Sequence, residues 1–84
     1  MMHNRISPED QVKIEICFDG KEIDSFSGSG FHTLEDAVDA AYSESKHCDL
    51  DKRDYVYTVE NITDGTSARY RFNAHDNLKI LPEM

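Results

Sequence analysis

The chain has 84 residues, enough for one domain with one hydrophobic core and too few for a second. Nine basic and seventeen acidic side chains give a formal net charge of −8, which repels the phosphate backbone that supplies most non-specific nucleic-acid affinity. Direct binding to DNA or RNA is therefore disfavoured, whereas long-range attraction favours encounter with a basic partner.

Residues 1–10 are predicted to be a flexible leader, and residues 11–84 are predicted to form a single domain. In the segment "VKIEICF", apolar and polar residues alternate from Val12 to Phe18, which predicts a half-buried strand. Asp19-Gly20 then predicts a two-residue hairpin turn, and "KEIDSF" is the returning strand.

The apolar residues of this hairpin do not align across a simple two-residue turn. Such a turn places Phe26 opposite Lys13 rather than Ile14. One extra residue near Asp24 and Ser25 corrects the alignment, so we expect a β-bulge there.

A helix is predicted from Thr33, as N-cap, to about His47, with Asp36 in a capping-box-like position. Its predicted inner stripe, which has Tyr42 at its edge, comprises Leu34, Ala37, Val38, Ala41, Ser45 and Cys48. The small alanines of this stripe allow the helix to lie close to a sheet.

A second hairpin is predicted in "YVYTVENITDGTSARYRF", residues 55–72, with Asp64-Gly65 as a type I′ turn. This register pairs Tyr57 with Phe72 and Val59 with Tyr70. The four rings of the hairpin then share one face of the sheet: Tyr55, Tyr57, Tyr70 and Phe72.

The opposite face of the second hairpin is predicted to be solvated. There the same register places Glu60 opposite Arg69 and Thr58 opposite Arg71, including one opposite-charge pair. After this hairpin, the short run from Leu78 to Leu81 is predicted either to add an edge strand or to cover the core.

These elements predict an α+β fold in the order ββαββ: a single small domain in which one helix packs on one face of an antiparallel sheet of two hairpins. Aromatic side chains on a sheet face also serve some RNA-binding domains as a stacking surface. Core packing is favoured here, because the chain is acidic and no lysine or arginine lies between the rings on their own face.

The acidic residues are concentrated on the first hairpin, the helix and the polar segment after the helix. Those predicted to bind a partner are Asp36, Asp39, Glu44, Asp49, Asp51 and Asp54. A second interpretation stays open, because acidic residues in the first turns of a helix also stabilise its dipole and acidic residues elsewhere increase solubility.

Metal binding and catalysis have little support in the sequence. Counted from Asp49, an EF-hand loop requires glycine at its sixth position, where this chain has Asp54. Cys48 lies on the inner stripe of the helix, and Cys17 has no histidine near it in sequence. We therefore predict no metal, no cofactor and no enzymatic activity.

No apolar stretch reaches the roughly 18 residues that span a bilayer, so the sequence predicts a cytoplasmic protein with reduced cysteines. We interpret it as a non-catalytic acidic module that docks on a basic surface of a larger protein. In size and charge the chain resembles small accessory proteins of phages, including anti-CRISPR proteins and other DNA mimics that inhibit proteins handling nucleic acid. Alternatives are a homodimer formed through the edge "KEIDSF" or Leu78 to Leu81 and, less favoured, a metal- or thiol-dependent small enzyme.

Overall fold

The computed structural model describes residues 6–46 and 50–82. Within them the chain forms β1 (Val12–Phe18), β2 (Lys21–Gly28), α1 (Leu34–Glu44), a short 3₁₀ helix (Lys52–Asp54), β3 (Val56–Asn61), β4 (Thr66–Phe72) and β5 (Leu78–Ile80). The strands form one antiparallel sheet with α1 packed on one face, which confirms the predicted α+β class and its ββαββ order. None of the helices in the described part of the chain has the length and apolarity needed to span a bilayer.

The two hairpins join through their first strands, because β1 and β3 are neighbours at the centre of the order β2-β1-β3-β4-β5. Ile14 lies opposite Val59, and Ile16 lies opposite Tyr57. Strand β2 therefore forms one edge of the sheet. The run Leu78–Ile80 forms the other edge as β5, the first of its two predicted roles.

The first hairpin has the predicted turn and bulge. Asp19 and Gly20 both have positive φ, 54° and 79°, as a type I′ turn requires. Phe26 lies opposite Ile14, and the extra residue is Ile23, one position before the predicted place.

The predicted register of the second hairpin is wrong. Tyr57 lies opposite Tyr70 rather than Phe72, and a four-residue loop, 62–65, replaces the two-residue turn at Asp64-Gly65. Because the shift is an even number of residues, every side chain stays on its predicted face.

Asn61 accounts for the longer loop. Its side-chain oxygen accepts hydrogen bonds from the backbone amides of Thr63 and Asp64, at 3.0 and 3.3 Å. Its backbone carbonyl accepts from the amide of Gly65 at 2.8 Å, and its side-chain nitrogen donates to Asp10 at 3.0 Å. This buried side chain supplies the loop with partners that a type I′ turn lacks.

The new register also removes the predicted charge pair on the solvent face. Arg69 lies opposite Thr58, and Glu60 lies opposite Ser67. The predicted pairings of Glu60 with Arg69 and of Thr58 with Arg71 are therefore both wrong.

Helix α1 begins as predicted, because the Thr33 side chain accepts a hydrogen bond from the Asp36 amide at 3.1 Å. The helix ends at Glu44, before His47, which lies outside the described residues. The stripe facing the sheet is buried at Leu34, Ala37, Val38, Ala41 and Ser45, as predicted, and Cys48 lies outside the described residues.

Part of the predicted leader contacts the domain. Ile6 packs against the core, and the Pro8 carbonyl accepts a hydrogen bond from the Gly30 amide at 2.8 Å. Residues 1–5 lie outside the described residues.

Replacing Asn61 tests what determines the register of the second hairpin. We expect Asn61→Ala to lower the free energy of unfolding by about 1–3 kcal/mol, because it leaves two loop amides without their acceptor and removes one of the two hydrogen bonds to the Asp10 carboxylate. Denaturant unfolding measures the change. The matched control is Asn73→Ala, since the Asn73 side chain accepts from two amides in the more exposed β4–β5 turn. Equal losses in the two variants would contradict a special role for Asn61.

Candidate functional site

The rings of the second hairpin lie between the sheet and α1. Tyr55, Tyr57, Tyr70 and Phe72 are at most 5% exposed. The centroids of Tyr55 and Tyr57 are 6.2 Å apart and those of Tyr57 and Phe72 are 5.7 Å apart, both edge-to-face. Base stacking requires open ring faces, so this geometry favours a core over a ligand platform.

The acidic residues predicted as a site lie on α1 and on the segment 50–54, which precedes β3. Asp36, Glu44, Asp51 and Asp54 are exposed, and Asp39 is half-buried. Asp49 lies outside the described residues. We define the acidic surface as the outward side of α1 together with residues 50–54.

Lys52 connects this surface to the aromatic core. Its ammonium nitrogen lies 3.2 Å from the Asp39 carboxylate and 4.5 Å from the centre of the Phe72 ring. Its backbone carbonyl accepts a hydrogen bond of 2.9 Å from the Tyr57 hydroxyl. The Tyr42 hydroxyl likewise donates to the Leu50 carbonyl, so two tyrosine hydroxyls anchor the segment.

Arg53 forms ion pairs with two further carboxylates, those of Asp51 and Asp76. Its guanidinium donates to both carboxylate oxygens of Asp51, at 3.0 and 2.7 Å, and lies 3.7 Å from Asp76. The side-chain and backbone hydrogen bonds from Arg53 lower the pKa of Asp51 to about 2. Asp76 was not predicted. It lies in the turn between β4 and β5, where its φ of 62° is in the left-handed region. No feature of the sequence near Asp76 predicts its ion pair with Arg53.

The predicted site therefore divides into two groups. Asp39 and Asp51 border an open cleft of about 510 Å³, where Lys52 and Arg53 neutralise them. Asp36, Glu44 and Asp54 have no ion pair within 4.0 Å among residues 6–46 and 50–82. The uncompensated charge lies on this second group.

The opposite face of the sheet carries basic residues. Arg71 lies opposite Lys79, and Arg69 is two residues before Arg71 on the same face. None of the three has a carboxylate within 4.0 Å in the described part of the chain. Glu15 and Glu60 lie on this same face, so it carries charge of both signs.

No arrangement of side chains among the described residues supports the hypotheses of a thiol-dependent or a metal-dependent enzyme. Burial, more than any other factor, raises the pKa of the Cys17 thiol and so favours its unreactive protonated form. Residues 6–46 and 50–82 hold no group of three or more His, Cys, Asp or Glu side chains placed to bind a metal ion.

Because the Tyr57 hydroxyl anchors the segment 50–54, we expect two Tyr→Phe substitutions to differ in their effect on the free energy of unfolding. Tyr57→Phe should lower the free energy of unfolding by about 0.5–1.5 kcal/mol, because it removes the hydrogen bond to the Lys52 carbonyl. Tyr70→Phe is the matched control, since the Tyr70 hydroxyl has no hydrogen-bond partner among the described residues. Chemical denaturation of both variants measures the difference, and equal stabilities would contradict the anchoring role.

No family model matches this chain, and no match was found among curated proteins or solved structures. A five-stranded sheet with one helix does not by itself imply an activity, because one fold class serves many unrelated functions. The function has to follow from the chemistry and charge of particular side chains.

Proposed function

We propose that this protein is a non-catalytic binding module whose acidic surface docks on a basic surface of a larger protein. The observation that carries the proposal is the presence of exposed carboxylates on α1 and on residues 50–54 that have no ion-pair partner within the described ranges, 6–46 and 50–82. Asp36, Glu44 and Asp54 are the principal contacts, and Asp39 and Asp51 lie beside them. Asp49, which belongs to the same polar segment of the sequence, is included in the proposal on that ground.

The charge balance of the acidic surface supports a cationic partner. Residues 34–46 and 50–54 hold six acidic and three basic side chains, and two of the bases are already paired with Asp39 and Asp51. Because a helix rises 1.5 Å per residue, Asp36 and Glu44 lie about 12 Å apart along its axis. The carboxylates thus form an extended acidic row rather than a point charge.

The kind of partner follows from this row and from the net charge of −8. Proteins that handle nucleic acid carry basic grooves for the phosphate backbone, and a row of carboxylates offers such a groove the same sign of charge. We therefore place an inhibitor of such a protein, of the DNA-mimic type, first among the possible roles. Electrostatic steering would raise the association rate and make it sensitive to salt.

Charge reversal tests the proposal. The site variant carries Asp36→Lys, Glu44→Lys and Asp54→Lys, and the control carries Glu9→Lys, Glu22→Lys and Glu60→Lys, three exposed residues outside the acidic surface with the same change in net charge. Wild-type protein first captures the partner from a lysate of the source cell at low salt, and association rates are then measured for the purified pair.

We expect the site variant to lower the association rate constant by about tenfold or more, because steering by complementary charge is lost. The control variant should lower it by about threefold or less, through net charge alone. Added salt should slow the wild-type protein more than the site variant. Equal effects of the two variants, or a partner that is retained regardless of salt and charge reversal, would contradict the proposal.

The sheet edges support a second candidate, a homodimer in which an edge strand pairs with its copy. Strand β2 is eight residues long and outermost, and β5 forms the opposite edge. One observation argues against pairing through β2. The Ser25 amide donates a hydrogen bond of 2.9 Å to the neighbouring Asp24 side chain and is therefore not available to a new strand. Sedimentation velocity at high micromolar concentration decides this candidate, and a monomer would exclude it.

A further inference from the structure

An apolar cleft lies beside α1, over strands β3 and β4, on the helix side of the sheet. It encloses about 280 Å³, and its apolar lining includes Leu34, Val59, Ala68, Ile80 and the ring of Tyr70. Ile80 is 47% exposed at its margin, so apolar surface continues from the cleft to the outside of the domain. This volume is just below the roughly 300–1,000 Å³ of small-molecule pockets and suits one inserted side chain.

The polar groups of the cleft differ in whether they have partners. The Asn61 side chain bonds to its own loop and to Asp10, and the Thr66 hydroxyl donates to the Asp64 carboxylate. The Tyr70 hydroxyl has no hydrogen-bond partner among the described residues, and since no fully buried side-chain oxygen there lacks a partner, this hydroxyl is open to water although the residue is only 5% exposed. A hydroxyl in such a place retains a hydrogen bond to offer to an occupant.

The Tyr70 hydroxyl keeps its proton and can therefore donate. Burial, followed by the nearby charge of Glu35, raises the pKa of Tyr70 above its ordinary value. The phenol therefore stays protonated at physiological pH and can donate to a carbonyl oxygen.

The charge around the cleft selects for a cationic neighbour. Asp64 lies in its lining and Glu35 lies close to Tyr70, whereas the described lining includes no lysine, arginine or histidine. An anionic ligand would be repelled, and an apolar side chain flanked by basic residues would be attracted.

We propose that this cleft receives one apolar side chain from a basic segment of the partner protein, and that the Tyr70 hydroxyl donates a hydrogen bond to a backbone carbonyl of that segment. This inference rests on the proposed function and adds to it an anchor. Interfaces commonly derive most of their affinity from a few such side chains buried in a pocket and surrounded by polar contacts. Steering by the acidic surface and anchoring in the cleft are then separate steps of recognition.

Three blocked peptides separate the two steps: acetyl-Lys-Leu-Lys-amide, acetyl-Lys-Gly-Lys-amide and acetyl-Ser-Leu-Ser-amide. Each is titrated into the ¹⁵N-labelled full chain, and amide shifts are followed at Ala68 and Tyr70 in the cleft and at Asp36 and Glu44 on α1. We expect the Lys-Leu-Lys peptide to shift the cleft amides and to bind about tenfold more tightly than Lys-Gly-Lys, because a leucine side chain leaves water. The Ser-Leu-Ser peptide should bind the cleft more weakly, since it lacks the charges.

Two cleft variants and a control sharpen the test. Tyr70→Phe should weaken Lys-Leu-Lys binding by about three- to tenfold, the loss of one hydrogen bond, while its melting temperature stays within about 2 °C of the wild type. Ala68→Leu should fill the cleft and abolish the preference for leucine over glycine. Ser27→Ala is the control, because it removes a hydroxyl from the exposed edge strand β2, outside the cleft lining and the acidic surface, and should leave peptide affinity unchanged.

The possible results distinguish this inference from the proposed function. Equal affinity for the leucine and glycine peptides, or shifts confined to α1, would overturn the anchor and leave the acidic surface standing. Equal affinity for the lysine and serine peptides would show that the occupant need not be basic and would overturn the inference of a basic segment. If the amide resonances of the cleft shift with protein concentration in the absence of peptide, a second copy of the chain occupies the cleft. If nuclear Overhauser contacts join residues 1–5 to Tyr70, the chain itself occupies it. Either result would overturn the proposal that a partner side chain binds there.

Discussion

The burial of the aromatic rings of the second hairpin is the constraint on which the other features depend. Tyr42 of α1 contacts Tyr55, and the hydroxyls of Tyr42 and Tyr57 donate to backbone carbonyls of the segment before β3. That segment is therefore held against the core at Lys52, and ion pairs then neutralise Asp39 and Asp51. The same packing that hides the rings thus determines which carboxylates keep uncompensated charge.

Much of this fold follows from local patterns. Alternation with a period of two assigns each side chain to a face whatever the register, so the rings were placed correctly although the strands pair two residues away from the prediction. The register itself depends on hydrogen bonds that the Asn61 side chain accepts from the amides of Thr63 and Asp64, and the propensity of Asp-Gly for a type I′ turn does not take these into account. The central pairing of β1 with β3 is a contact between distant segments, and local sequence carries little information about it.

The candidate site was only partly accessible from sequence. The exposure of Asp36, Glu44 and Asp54 follows from helix periodicity and polarity, whereas the ion pair between Asp39 and Lys52 spans thirteen residues and depends on how the segment folds back.

The cleft beside α1 arises because an eleven-residue helix covers only part of a five-stranded sheet, and no single stretch of sequence describes that gap. Charge steering and a hydrophobic anchor are complementary, since the first mainly sets the rate of encounter and the second mainly sets the lifetime of the complex.

The most direct test of the central claim, that these rings form a core rather than a recognition surface, is spectrophotometric titration of the four tyrosines alongside far-ultraviolet circular dichroism. Burial raises the pKa of Tyr57 and Tyr70, so the stability that these two phenols contribute should be constant below about pH 10 and should be lost as pH rises further. We expect the phenols of these two residues to ionise only together with the loss of native ellipticity. Reversible ionisation of all four tyrosines near pH 10 in a protein that keeps its native ellipticity would contradict the account.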